Sequence, residues 1–98
     1  MTINKTLEGN ALTLALEGRL DTVTAPELEA ELKASLGGAE SLTFDFSKLD
    51  YISSAGLRVL LSAHKMMAAK GGMKVTNVNE VVREVFDVTG FADILTIE

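Results

Sequence analysis

The chain has 98 residues, no cysteine and a formal net charge of −5, with nine basic residues set against fourteen acidic ones. One domain over residues 1–98 with a single modest core fits that length, and the missing cysteines exclude disulfides, thiolate nucleophiles and thiolate metal sites. The acidic balance and scattered cations exclude a nucleic-acid footprint, and no apolar run approaches the roughly 20 residues that span a bilayer.

In chain order, Ile3, Lys5 and Leu7 alternate with Asn4, Thr6 and Glu8. Gly9-Asn10 reads as a two-residue hairpin turn, and Leu12, Leu14 and Leu16 alternate with Thr13, Ala15 and Glu17. Period two predicts two paired antiparallel strands, the first at a sheet edge. Gly18-Arg19-Leu20-Asp21 leads into a helix whose start carries Thr24 as N-cap, Pro26 in the first turn and Glu27 three residues on. Leu28, Leu32 and Leu36 form its buried stripe, and Gly37-Gly38 stops it.

Leu42, Phe44 and Phe46 predict a third strand, with Ser47 to Ile52 as a connection. Ser53-Ser54 opens a long helix with Leu57, Leu60, Leu61, His64, Met67 and Ala68 as its apolar stripe. Arg58, Val59, Ser62, Ala63 and Met66 fall outside that stripe, so Val59 and Met66 are expected on the surface. Gly71-Gly72 ends the helix, and Met73 to Asn77 forms a fourth strand. Asn79 caps a third helix with Val82, Val85, Phe86 and Thr89 inward, Gly90 stops it, and Ile94 to Ile97 closes the chain as a fifth strand. The order β-β-α-β-α-β-α-β predicts a single α/β domain. Its sheet of about five strands is mostly parallel, with one antiparallel edge hairpin strand and helices packed against it.

Enzymatic chemistry finds little support. The only histidine, His64, sits ten positions after Ser54 on one helix, about 15 Å along its axis, which rules out a direct Ser–His pair. Asp21, Asp45 and Asp50 are better read as capping and turn residues than as a cation site. Ser54-Ala55-Gly56 matches no phosphate-binding glycine loop, and the glycine pairs follow helices. An aspartyl-phosphate receiver would need an acidic pair where Leu16-Glu17-Gly18 stands and a lysine near its last strand, and no lysine follows Lys74. No catalytic residue, metal or cofactor is assigned.

One local feature remains: Asp50-Tyr51-Ile52-Ser53-Ser54-Ala55-Gly56-Leu57-Arg58. Two hydroxyls stand where a loop becomes a helix. One of them suffices as an N-cap. Ala55 and Gly56 leave the helix tip uncrowded, and such a tip favours an anion.

This stretch resembles the signature of the STAS family of anti-sigma factor antagonists, in which an aspartate or serine, a phosphorylated serine, a small residue, Gly and Leu begin the second helix. Gly18-Arg19-Leu20-Asp21 with Thr24-Ala25, Leu42 to Ser47, and Val82 to Phe91 resemble further family segments in the same order. The resemblance implies that Ser54 is the phosphorylated serine. It implies that Asp21 is the acidic residue near it, and that Ser53, Ser54, Gly56, Leu57 and Arg58 belong with Asp21 to the partner surface. Ser53 replaces the aspartate of many members, which removes a charge beside the acceptor.

The resemblance further implies a non-enzymatic regulator of transcription in the cytoplasm. Its partners would be an anti-sigma factor that is also a serine kinase and a PP2C-type phosphatase, with no direct nucleic acid and no membrane insertion. Many members continue into a C-terminal helix, whereas this chain stops at Glu98. The sheet face left more exposed there suits a weak homodimer. Two other readings stay open: a non-switching STAS adaptor in a lipid-transport or stress-signalling complex, and a small nucleotide-binding protein.

Overall fold

Alternating apolar residues build a five-stranded sheet. The computed structural model describes all residues from Met1 to Glu98. Its elements are β1 (Thr2–Glu8), β2 (Ala11–Leu20), α1 (Ala25–Ser35), β3 (Ser41–Ile52), α2 (Ser54–Met67), β4 (Met73–Thr76), α3 (Glu80–Thr89) and β5 (Thr96–Ile97). The strands lie in sequence order across the sheet, with β1 antiparallel to β2 and every later neighbour parallel. Gly9, at φ 61°, and Asn10 close the hairpin between paired Glu8 and Ala11. A glycine at the first of two turn positions matches the twist of the strands it joins.

Leu12, Leu14 and Leu16 on β2 and Leu42, Phe44 and Phe46 on β3 are all buried on one face. The helices close over that face. Phe46 lies 6.4 Å from the Phe86 ring of α3. Thr13, Ala15, Thr43, Asp45 and Thr76 alternate with the buried row and are only half-buried. Lys5 shares the apolar side of β1. It escapes burial because the strand is an edge, and its ammonium reaches Glu31 (3.8 Å) and Ser35 (3.4 Å) on α1.

The structure corrects several sequence expectations. The stretch from Ser47 to Ile52 is no connection, because β3 runs on through it. Two register shifts accommodate the extra residues: Ala15 pairs with Asp45 but Glu17 with Lys48, and Gly18 pairs with Leu49 but Arg19 with Tyr51. Such bulges break the alternation that marks a strand and re-aim its side chains. Likewise Gly18-Arg19-Leu20 belongs to β2 rather than to the approach to α1.

On α2 the buried set is Gly56, Leu57, Val59, Leu60, Ala63 and Met67. Leu61 and His64 are only half-buried, Ala68 is exposed, and Val59 is 6% exposed. The helix packs on α1 as well as on the sheet, which draws Val59 and Ala63 inward. Met66 does stay exposed, at 44%. Thr89 does not face inward: it is exposed and donates its hydroxyl to the Val85 carbonyl (2.6 Å). The fifth strand is only Thr96–Ile97, because the Ile94 and Leu95 amides both turn back to the Phe91 carbonyl.

Gly56 is a position where this packing leaves no space for a side chain. A methyl group added there would meet Leu20 Cγ at 2.7 Å and Ile52 Cγ1 at 2.9 Å. Overpacking of that kind outweighs the helix propensity gained by alanine, so Gly56→Ala is expected to lose about 1 kcal/mol of unfolding free energy. Gly37→Ala, where nothing lies within 4 Å, serves as the control. Urea denaturation of both variants measures the difference.

Candidate functional site

The site forms where β2 ends, β3 ends and α2 begins. Leu20 pairs with Ile52. The next amide, that of Ser53, donates to the Leu20 carbonyl at 2.9 Å. This bond turns the chain out of the sheet and straight into α2. Ser53 is the N-cap: its backbone is extended (φ −100°, ψ 176°), and its hydroxyl accepts from the Gly56 amide at 3.4 Å. The Ser53 carbonyl accepts from the Leu57 amide at 2.9 Å.

Ser54 is therefore the first residue inside the helix, and its side chain is exposed. With the Gly56 and Leu57 amides occupied, those of Ser54 and Ala55 remain as the unsatisfied donors of the helix start. They surround the Ser54 hydroxyl with positive potential. Gly56 and Leu57 are buried beneath it, and Arg58 is exposed one turn further on.

Asp21 follows directly on Leu20 and stands beside Ser53 at the same sheet end. Its Oδ1 accepts from the Val23 amide (3.0 Å) and the Thr24 amide (3.1 Å). The Thr24 hydroxyl donates to the Arg19 carbonyl (2.8 Å) and accepts from the Asp21 amide (2.8 Å). Thr24 holds the N-cap position of α1, but its side chain does not cap the helix. The strand end takes the hydroxyl instead, and a rigid Asp21–Thr24 turn results. The Thr24 amide holds the Asp21 carboxyl below its ordinary 3.8, helped by the Thr24 hydroxyl, the Val23 amide and the Arg19 charge.

Sequence reasoning missed Arg19. Its guanidinium lies 4.4 Å above the Tyr51 ring centre and 3.7 Å from Asp21 Oδ2. The pairing of Arg19 with Tyr51 arises from the second bulge in β3, so only a correct register would have revealed it. A shallow groove of about 360 Å³ runs from this site between α1 and α2, and Ala25, Glu29, Ala55, Arg58, Val59 and Ser62 help to line it.

Two other sequence candidates lie elsewhere. His64 lines a cavity of about 530 Å³ with Ser41, Gly72 and Lys74, beside the starts of β3 and β4 and away from Ser54. Its Nδ1 is sealed from solvent without a partner. Asp45 accepts from Asn77 Nδ2 (3.0 Å) and from the Ser47 amide (2.9 Å), and these bonds lower its pKa. No three acidic or histidine side chains converge in metal-binding geometry. No helix is long and apolar enough to cross a membrane.

The fold is a small single-domain α/β sheet with a hydroxyl exposed at a helix tip. The chain belongs to the STAS domain family, whose model matches residues 2–98. It is 40% identical over 88 residues to BtrV of Bordetella bronchiseptica, which carries the provisional name of anti-sigma factor antagonist; the match covers 88% of this chain and 76% of that protein. It is 30% identical over 89 residues to the anti-sigma-B factor antagonist of Bacillus subtilis, covering 90% and 82%. The fold matches that of the Bacillus anti-sigma factor antagonist SpoIIAA. Its unphosphorylated form gives a TM-score of 0.85 at 18% identity, covering 99% of this chain and 88% of that one. Its phosphorylated form gives 0.76 at 18% identity, covering 99% and 91%.

The lowered pKa of Asp21 gives a test of the turn. A depressed folded-state pKa contributes stability above the ordinary value, and that contribution is lost as pH falls through the folded value. Asp21→Ala is therefore expected to lower Tm at pH 7. The gap to wild type should close as pH falls below 3.8. Thermal unfolding followed by circular dichroism across pH 2.5–7 checks it.

Proposed function

We propose that this protein is a cytoplasmic anti-sigma factor antagonist, a non-enzymatic binding module switched off by phosphorylation of Ser54. The single observation that carries the reading is the placement of Ser54. Its hydroxyl is exposed at the first position of α2, beside two free backbone amides and the Asp21 turn. The names of the relatives support the antagonist role. SpoIIAA, solved with and without phosphate, supports the idea that this fold accepts the modification.

In this reading the unmodified surface around Ser54 binds an anti-sigma factor, which then releases its sigma factor. Asp21, Ser53, Gly56, Leu57 and Arg58 shape that surface with Ser54. The anti-sigma factor is also the kinase. The Ser54 oxygen attacks the γ-phosphorus of ATP, the hydroxyl proton passes to a base of the kinase, and ADP leaves. A PP2C-type phosphatase restores the serine by hydrolysis and releases inorganic phosphate. Phosphate adds about −1.5 to −2 charges. At a packed interface each ~1.4 kcal/mol of desolvation or repulsion costs a tenfold in affinity.

Protein purified from its native host and examined by mass spectrometry tests the reading. The expected result is a single phosphate on Ser54, absent from Ser54→Ala, and a kinase partner retained only by the unmodified form. An unphosphorylated chain under all growth conditions, holding a scaffold or transporter partner indifferent to Ser54→Ala, would leave a constitutive adaptor instead.

A further inference from the structure

The cations of this domain are mostly committed. Lys5, Arg19, Lys33, Lys74 and Arg83 each pair with a carboxylate. Lys70 donates its ammonium to the Leu36 and Ala39 carbonyls at 2.7 and 3.0 Å. Arg58 takes part in none of these ion pairs, is exposed, and sits at the mouth of the α1–α2 groove. It also stands four residues after Ser54 on the same helix. Positions i and i+4 are neighbours on a helix surface, with Cβ atoms about 6 Å apart, and side chains lean back toward the N-terminus. An anion four residues before a cation is the favoured orientation for such a pair. Arg19 is less available, because Asp21 and the Tyr51 ring already hold it. Lys65 is eleven residues along α2, about 16 Å away along its axis.

We propose that Arg58 is the built-in counter-ion of phosphorylated Ser54, drawn from the α1–α2 groove onto the phosphate by helical i,i+4 pairing. The inference rests on the phosphorylation reading above and extends it. The guanidinium offers a planar fork that matches phosphate oxygens bidentately. Once it turns to the helix tip, the groove loses its cation. Glu29 on α1, paired with Lys33 at 3.2 Å, is then the charged residue left in its lining. One modification thus changes two parts of the surface: the charge at the tip and the polarity of the groove beside it. A partner that engages both would be rejected twice.

Protein with genetically encoded phosphoserine at position 54 tests this without any kinase. Phosphorus-31 NMR titration reads the second ionisation of the phosphate in wild type, Arg58→Gln and Arg58→Lys, and the Arg58 side-chain Nε–H resonance is followed by nitrogen-15 NMR. Arg58 is exposed, so both variants are expected to fold. The expected result is a midpoint raised by about 0.3 pH unit in Arg58→Gln, the size of a helical ion pair, with Arg58→Lys in between. The Arg58 Nε–H resonance should shift on phosphorylation. Equal midpoints in wild type and Arg58→Gln, with an unmoved Nε–H resonance, would overturn the proposal. A native protein never phosphorylated on Ser54 would sink the functional reading alone, since the encoded phosphoprotein reports the pairing independently.

Discussion

The hydrogen bond from the Ser53 amide to the Leu20 carbonyl, at 2.9 Å, is the constraint on which the site depends. It is the last rung between β2 and β3 and also the first fixed point of α2. A strand that ended one residue earlier would move Ser53 out of the capping position and carry Ser54 off the helix tip. Two requirements follow from it. The helix must start in contact with Leu20 and Ile52, which leaves no space for a side chain at position 56. The chain beyond Leu20 must also turn away at once, which the Asp21 carboxylate achieves by accepting two backbone amides. Backbone geometry, more than side-chain chemistry, thus brings Asp21 and Ser54 to one end of the sheet.

Much of this was legible because local and global signals agreed. The leucines of β2 keep strict period two, the Gly9-Asn10 turn matches its strands, and Asn79 caps α3 by accepting from the Val82 amide at 2.8 Å. Legibility failed where a tertiary partner overrode the local pattern. Bulges at two points in β3 place Ser47 and Lys48 outside the alternation, so the strand's second half resembles a loop. The run Leu49, Tyr51, Ile52 carried a β signal of its own, though its register could only come from pairing with β2. On α2 the three- and four-residue spacing marks a single apolar face. Packing on α1 as well widened the buried sector to include Val59 and Ala63.

The candidate site was legible in a different sense. Ser53 and Ser54 differ by one position yet occupy opposite roles: one spends its oxygen as a cap, the other leaves it free. Local chemistry offers two hydroxyls without choosing between them, and only the family resemblance singles out Ser54. The capping role of Ser53 follows from the strand end, which fixes its extended backbone and hence the first helical residue. Arg19 and its contact with Tyr51 stayed hidden for the same reason, because they depend on register rather than residue type.

The position of Ser54 also decides how a charge there would act. A phosphate on the inner face of α2 would have to be buried against Leu20 and Ile52 and would oppose folding. On the exposed first residue it meets free amides, the positive end of the helix and a cation one turn away, so the isolated domain can carry it. The cost then falls on any surface that packs over the helix tip and cannot reproduce that hydration. The core beneath the tip is a sheet face and three helices packed through apolar side chains, so a charge held at the exposed helix tip does not enter it. Control of binding at the surface, without refolding, is what this arrangement favours.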